Sequence, residues 1–294
     1  MEIAGTYTAL ITPFKGGEVD YDGLKKNIQF QLDNGISGIL PLGTTGETPT
    51  LTSEEKDKVI QVAVEVAKGK VPIMVGTGNY STKNTIENTL RAKELGADIA
   101  LIVTPYYNKP TQEGIYLHFK AVNDAVDIPI MVYNIQGRTG KNIETSTLNK
   151  IASLKNVIGV KEASGNVGQM TDVLELVCGG HPDFNVMSGD DGLTLPLMAL
   201  GGKGVVSVVS NLVPAQVVAM VDAAQKGDFE KARKLHFKLL PIFKGAFIET
   251  NPMPIKEAMN LCGMPAGGCR LPLCEMETQN REKLKQVLKE MKLI

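Results

Sequence analysis

The apolar positions of the chain fall into short runs that are separated by longer amphipathic stretches. Eight such runs occupy residues 7–14, 38–43, 72–78, 99–108, 129–134, 157–164, 184–191 and 204–211. Each run is short and nearly continuous in apolar residues, which is typical of parallel strands covered on both faces. The pattern therefore predicts a parallel sheet.

The stretches between the runs carry helix signals. Residues 52–69, 81–97 and 111–126 each begin with Thr or Ser, and Gly96 supplies a stop for the second. Strand–helix units of about 30 residues, repeated eight times, predict an α/β fold of the (β/α)₈ TIM-barrel type. A doubly wound open sheet is the alternative, but it rarely holds eight evenly spaced units, and no GxGxxG or P-loop motif follows any run.

The pattern becomes wholly helical after residue 213. Helical stretches cover residues 214–248, 253–263 and 280–294, and the segment "CGMPAGGCRLPLC" joins the last two. We predict a catalytic barrel of residues 1–225, which includes its eighth helix, and a C-terminal helical extension of residues 226–294.

Composition narrows the class of protein. Hydrophobic residues make up 43% of the 294 residues, and 31 Lys and Arg balance 32 Asp and Glu. This balance favours neither nucleic acid nor an anionic membrane as a partner. No run reaches the roughly 20 apolar residues of a membrane span, and "MEIAGTYTALITPF" lacks the features of a signal peptide. We therefore expect a cytoplasmic protein.

The cysteines give no sign of a metal site. No two of them form a CxxC pair, and the last three have no histidine nearby. We expect four reduced thiols, with a disulfide as the alternative. The cysteines are Cys178, Cys262, Cys269 and Cys274.

Polar residues gather where the predicted strands end, which is where barrels of this type carry their active sites. Lys161 ends the otherwise apolar run "NVIGVK". Strand alternation places Val157, Gly159 and Lys161 on one face, so that Gly159 leaves room for the lysine and Glu162 points away towards the helices. A lysine that reaches solvent is the plain alternative. A desolvated amine instead stays more neutral and can attack a carbonyl carbon.

Three other strand ends supply matching groups. Tyr133 holds the position equivalent to Lys161 on the preceding strand and can move protons, unless it is simply a core tyrosine. The loop "GTTGE" (43–47) offers hydroxyls and backbone N–H groups to a carboxylate, or else forms a helix-capping turn. Arg138 suits a second carboxylate, although a surface arginine is a serious alternative.

The acidic pair Asp190 and Asp191 precedes a predicted helix. Two adjacent carboxylates suggest paired acids or a metal site. The setting "SGDDGLTLPLMAL" favours helix capping, and we expect no metal there.

The motifs together resemble the dihydrodipicolinate synthase family, among the pyruvate-dependent, Schiff-base-forming aldolases. The resemblance covers essentially the whole chain. It rests, in order, on "GTTGETPTL", "VTPYYNKPTQEG", "YN-x-x-GRTG", "GVKEASGN", "SGDD", "GVVSVVSN" and "FIETNPMPIK". Arg138 and Tyr107 favour the synthase over its sialic-acid and sugar-acid relatives.

The resemblance implies a catalytic set. Lys161 forms an imine with pyruvate, and Thr45 with its loop backbone binds the pyruvate carboxylate. Tyr133, Thr44 and Tyr107 form a proton relay, in which Tyr107 comes from a neighbouring subunit.

It also implies the second substrate and the assembly. Arg138 binds the carboxylate of L-aspartate 4-semialdehyde, and Gly189 and Val206 make backbone contacts beside the imine. The family's activity is condensation of pyruvate with the semialdehyde to 4-hydroxy-tetrahydrodipicolinate, on the diaminopimelate route to lysine, without a metal or organic cofactor. The assembly is commonly a homotetramer built as a dimer of dimers.

Two alternatives stay open from the residues alone. One is another pyruvate-dependent lyase that acts on a sugar acid or on hydroxy-oxoglutarate, against which Arg138 argues. The other is a non-catalytic barrel that binds a keto acid, which has no need of Lys161.

The chain departs from the family pattern in two places. Gln136 replaces the usual proline of the "GRTG" loop, which predicts a looser loop around Arg138. Positions that match the lysine-binding pocket of feedback-sensitive members also differ, because Lys56 repels a cationic lysine and Asn84 removes a carboxylate. We expect weak or absent inhibition by lysine. The positions of this pocket are Ser53, Lys56, Tyr80 and Asn84.

Overall fold

The computed structural model describes residues 2–294, and its centre is a barrel of eight parallel strands. These are β1 Gly5–Ala9, β2 Gly38–Leu40, β3 Met74–Gly76, β4 Ile99–Val103, β5 Ile130–Asn134, β6 Val157–Glu162, β7 Asn185–Ser188 and β8 Gly204–Ser207. Their hydrogen-bonded order is β2-β1-β8-β7-β6-β5-β4-β3, and a parallel bridge between Ile39 and Ile73 joins the two ends. Each predicted apolar run meets one strand, so the predicted (β/α)₈ barrel is confirmed.

Helices surround the barrel and continue beyond it. The barrel helices are α1 Tyr21–Asp33, α2 Ser53–Ala67, α3 Thr82–Glu94, α4 Gln112–Ala125, α5 Thr145–Ala152, α6 Val167–Asp172, α7 Thr194–Ala199 and α8 Pro214–Gln225. A π-helical turn, Val173–Val177, and a last turn, Cys178–Gly180, extend α6. The C-terminal helices are α9 Phe229–Gly245, α10 Met253–Leu261 and α11 Thr278–Glu290. No helix within residues 2–294 has the length and apolar character of a membrane span.

The helix ends follow the local sequence signals. Thr52 and Glu55 form a reciprocal capping box at the start of α2, and the Thr111 hydroxyl accepts a hydrogen bond from the backbone N–H of Gly114 at the start of α4. Gly96 follows α3 with a φ of +101°, a conformation that glycine adopts without the penalty of a Cβ atom. The three predicted helical stretches agree with α2, α3 and α4 to within three residues at each end.

The core has an inner and an outer layer. Side chains such as Tyr7, Met74 and Val206 fill the barrel interior, and the other apolar clusters lie between strands and helices. One outer cluster joins barrel residues such as Val205 to Leu239 and other apolar residues of α9–α11. The extension therefore shares a core with the barrel, and the division at residue 225 remains a prediction.

Candidate active site

Lys161 lies on β6, inside the carboxyl end of the barrel. It pairs in register with Tyr133 on β5, and its Nζ lies 4.1 Å from the centroid of the Tyr133 ring. Only 5% of Lys161 is exposed. The alternative of a solvent-reaching lysine is therefore wrong.

The charge environment of Lys161 favours the neutral amine. Burial lowers its pKa from 10.5 to about 7, Asp191 opposes this shift, and Arg138 adds to it. Within residues 2–294, no carboxylate oxygen lies within 4.0 Å of Lys161 Nζ, so the amine has no ion-pair partner there. A large fraction of the amine is thus unprotonated near neutral pH, as a carbonyl-attacking nucleophile requires.

Gly189, rather than Gly159, makes the space for Lys161. A Cβ atom on Gly189 would lie 3.0 Å from Lys161 Cε and 2.7 Å from the Ala163 Cβ. A Cβ atom on Gly159 would instead lie 2.2 Å from the carbonyl oxygen of Asn185, so that glycine permits the close approach of β6 and β7. The prediction that Gly159 makes room for Lys161 is therefore wrong.

Simple alternation also fails at the start of β6. The register slips between Ile130 and Met131, where a bulge shifts the pairing with β6. Val157 consequently packs in an outer cluster, while Ile158 packs against the barrel interior. Glu162 does point away from Lys161, as expected, and accepts a hydrogen bond from the Ser164 backbone N–H at 2.6 Å.

Tyr133 presents a protonated phenol beside the amine. Burial raises its pKa to about 12, against the opposing effects of Arg138 and of a hydrogen bond with the Thr44 side chain. The phenol therefore keeps its proton at neutral pH and can donate it to a group next to Lys161. Thr44 and Tyr133 line one cavity of about 600 Å³ together with Arg138.

The "GTTGE" loop forms a 3₁₀ turn, Thr44–Gly46, at the end of β2. The backbone N–H groups of Gly46 and Glu47 donate to Gly43 and Thr44 within this turn. The first N–H groups of such a turn have no partner inside it. Buried Thr45 accepts a hydrogen bond from the Asn251 side-chain amide at 3.0 Å. The turn is thus more than a helix cap, because Thr44 lines the 600 Å³ cavity and the Thr45 hydroxyl contacts the C-terminal extension.

Arg138 extends from a one-turn helix, Gln136–Thr139, and is exposed. Its Nη2 donates to the backbone carbonyl of Asn251 at 3.0 Å. Gln136 occupies the first position of this helix, where the backbone N–H has no helical partner and a proline fits equally well. The backbone N–H that Gln136 restores therefore gains no partner inside this helix, and the looser loop remains a prediction.

Tyr107 does not join the site of its own chain. Its side chain is 89% exposed, and its φ of +70° is uncommon for a residue other than glycine. Val206 is fully buried in the barrel interior, on the strand that pairs with Tyr7 of β1. The structure therefore brings Lys161, Tyr133 and Thr44 together and leaves Tyr107 apart from them.

The two adjacent aspartates have different roles. Asp190 accepts a hydrogen bond from the Gly192 backbone N–H at 2.8 Å, which confirms helix capping for this residue. The capping prediction is wrong for Asp191. Its buried carboxylate accepts hydrogen bonds from the Ser207 hydroxyl at 2.5 Å and from the backbone N–H groups of Val208 and Val209. Burial raises the pKa of Asp191 to about 6. Among residues 2–294, no cluster of His, Cys, Asp or Glu suited to a metal ion is present.

Sequence reasoning missed Asn251 and the buried ion pair between Glu47 and Lys256. All three lie in stretches that carried the resemblance, "GTTGETPTL" and "FIETNPMPIK", but a polar residue distant in sequence gives no local signal of its partner. The four cysteines are free, as expected. Ser53 and Lys56 line the outer part of the 600 Å³ cavity, and the effect of lysine remains a prediction.

Comparison with known proteins agrees with this geometry. Residues 2–291 match the model of the dihydrodipicolinate synthetase family. The chain is 56% identical to the 4-hydroxy-tetrahydrodipicolinate synthase of Protochlamydia amoebophila, over 99% of this chain and 97% of that protein. It resembles the dihydrodipicolinate synthase structure from Thermotoga maritima with a TM-score of 0.97 and 44% identity, over 99% of each chain. The chloride-inhibited synthase from Acinetobacter baumannii, solved with pyruvate, gives a TM-score of 0.96 and 40% identity over all of both chains. The chain belongs to the dihydrodipicolinate synthetase family.

Proposed function

We propose that this enzyme condenses pyruvate with L-aspartate 4-semialdehyde through an imine on Lys161 and yields 4-hydroxy-tetrahydrodipicolinate. The observation that carries the proposal is a buried lysine that has no ion-pair partner among residues 2–294 and whose Nζ lies 4.1 Å from the ring centroid of Tyr133, a tyrosine with a protonated phenol. The relatives that match the whole chain are synthases of this name, which supports the same reaction. The reaction belongs to the diaminopimelate route of lysine biosynthesis.

The first half-reaction forms the imine. The neutral amine of Lys161 attacks C2 of pyruvate, and the phenol of Tyr133 donates a proton as the carbinolamine loses water. Thr45 and the backbone N–H groups of its loop bind the pyruvate carboxylate. Loss of a C3 proton then gives an enamine, for which the protonated imine acts as the electron sink.

The second half-reaction forms a bond between C3 of the enamine and the aldehyde carbon of the semialdehyde. The substrate amine then attacks the imine carbon and expels Lys161, which closes the ring. Arg138 binds the semialdehyde carboxylate, and backbone groups of Gly189 and Val206 contact the bound imine. These steps use the protein's own groups, and neither a metal ion nor an organic cofactor takes part.

The proposed assembly is a homotetramer in which Tyr107 completes the proton relay of Tyr133 and Thr44 in a neighbouring subunit. The exposure of Tyr107 supports this arrangement, because an aromatic side chain that is 89% exposed in one chain is available to another. Its left-handed backbone conformation supports a specific role for its position.

The test is reduction of the enzyme with borohydride in the presence of pyruvate, followed by peptide mass spectrometry. We expect a stable adduct on Lys161, and an unmodified Lys161 would refute the proposal. The Arg138→Ala variant should lose the reaction with the semialdehyde, whose carboxylate the guanidinium binds. It should still form the pyruvate adduct, at a somewhat higher pH because Arg138 helps to lower the pKa of Lys161.

A further inference from the structure

The C-terminal extension reaches the "GTTGE" loop through a buried ion pair. Lys256 lies on α10, and its Nζ donates to Glu47 Oε1 at 2.7 Å and to the carbonyl oxygen of Thr12 at 3.0 Å. Both side chains of the pair are 1% exposed. Glu47 Oε2 accepts the backbone N–H of Arg270 at 2.9 Å, so both carboxylate oxygens are held by the extension.

Glu47 stands at a strained point of this loop. It closes the turn Thr44–Gly46 with φ 53° and ψ 34°, and the next turn, Thr48–Thr50, starts directly after it. A residue with a side chain adopts this conformation only when its surroundings impose it. The contacts that fix the Glu47 side chain come from Lys256 and Arg270, far along the chain.

The extension also touches the carboxylate-binding residue itself. The Asn251 side-chain amide donates to Thr45 Oγ1 at 3.0 Å, while Asn251 Oδ1 is buried and has no hydrogen-bond partner within residues 2–294. A buried, unpaired acceptor weakens the fold, and a buried ion pair is often no more stable than a packed apolar pair. Stability alone is therefore a poor reason for these polar contacts around one turn.

We propose that Lys256 is a positioning residue that, through Glu47, holds the 43–47 loop in the conformation that binds the pyruvate carboxylate. The inference rests on the proposed function, since it concerns the pyruvate site. The extension thereby forms part of the substrate site although Lys256 does not contact the substrate.

The test compares Lys256→Met, Glu47→Gln and the double variant Glu47→Gln/Lys256→Met. The double variant leaves no unpaired buried charge, which keeps it folded if the single Lys256 variant is not. The measured quantity is the pyruvate concentration that half-saturates borohydride trapping, together with KM and kcat. We expect this concentration to rise about tenfold in the double variant, because the loop is no longer held in place and binds the pyruvate carboxylate with weaker hydrogen bonds. The change in kcat should be smaller. Glu47→Gln removes the counter-charge of Lys256 but keeps the shape of the side chain and an oxygen acceptor, so the half-saturating pyruvate concentration should rise less than in the double variant.

The matched control is Arg281→Met. Arg281 Nε donates to Glu257 Oε1, in the residue after Lys256, at 2.6 Å within the extension. Among residues 2–294, Arg281 forms no hydrogen bond or ion pair with the 43–47 loop. It should leave half-saturation by pyruvate at the wild-type value. A folded double variant with unchanged half-saturation overturns the inference, as does an equal rise in the Arg281 control. Failure of the wild-type enzyme to trap pyruvate refutes the proposed function instead.

Discussion

The molecule buries two lysines at the barrel mouth, and they differ in what surrounds the ammonium group. Lys161 lies above the Tyr133 ring without a carboxylate within ion-pair distance among residues 2–294, and burial lowers its pKa to about 7. Lys256 lies above the Phe14 ring at 4.3 Å, and burial lowers its pKa too, but Glu47 acts in the opposite direction at 2.7 Å. An aromatic neighbour and burial are thus common to both, whereas Lys256 alone has a carboxylate within ion-pair distance among residues 2–294 and also donates to the carbonyl oxygen of Thr12.

This difference separates a nucleophile from a structural cation. Desolvation without a counter-ion favours the free amine, which attacks carbonyl carbon. Desolvation with a counter-ion keeps a charged pair, whose hydrogen bonds fix the position of the groups around it. Four substitutions test this difference, because each changes the surroundings of one of the two lysines or removes the lysine itself.

The largest effect is expected for Lys161→Met. Activity should fall at least about a thousandfold, and borohydride should trap no pyruvate. The variant should also be more stable than the wild type. Because the folded-state pKa lies below the unfolded value of 10.5, the destabilisation by Lys161 is complete below about pH 7 and disappears as the pH rises to 10.5. Thermal melts across this range measure the difference, and equal Tm values below pH 7 would contradict the assigned environment.

Lys256→Met should lower the stability of the fold, whereas Lys161→Met should raise it. The Lys256 variant leaves Glu47 as an unpaired buried carboxylate, which costs about 3–5 kcal/mol, whereas Glu47→Gln/Lys256→Met should recover most of that loss. Urea denaturation measures both values. Equal losses in the single and the double variant would show that lost packing, rather than an unpaired charge, explains the effect.

Gly189→Ala tests the space around the reactive lysine. The new methyl group would lie 3.0 Å from Lys161 Cε and displace the amine, so kcat should fall on the order of tenfold to a hundredfold while the fold is kept. Gly179→Ala is the control and should leave kcat unchanged, because among residues 2–294 its added methyl group meets nothing within 4 Å beyond its chain neighbours and its own helix backbone. A wild-type kcat in the Gly189 variant would remove this glycine from the site.

The smallest effect is expected for Asp191→Asn. The carboxylate of Asp191 raises the pKa of Lys161, so its removal should shift the acid limb of imine formation to lower pH, by about one unit or less. Single-turnover rates from about pH 5 to about pH 9 locate this limb. Asp190→Asn serves as the control, since Asp190 caps Gly192 and is not among the causes of the Lys161 shift. If the acid limb of the pH–rate profile stays near pH 7 in the Asp191 variant, Asp191 is not the charge that raises the pKa of Lys161.

Local sequence patterns predicted much of the site because strand ends in a barrel converge by geometry. Lys161 and Tyr133 end consecutive apolar runs, and their pairing in register follows from that placement. Simple alternation failed where β5 and β6 slip by a residue, since a bulge reverses the face of every side chain on one side of it. The space for Lys161 then came from Gly189 on a neighbouring strand end.

The sequence by itself determined the eight strands, the helix caps and the lysine that ends an apolar strand, because these depend on neighbours in the chain. Only the tertiary structure decided which buried lysine has a carboxylate partner. Glu47 and Lys256 are 209 residues apart, and Asn251 meets Thr45 across 206 residues. Coulomb and hydrogen-bond energies depend on distance in space, and no local pattern records which distant carboxylate reaches a given ammonium group.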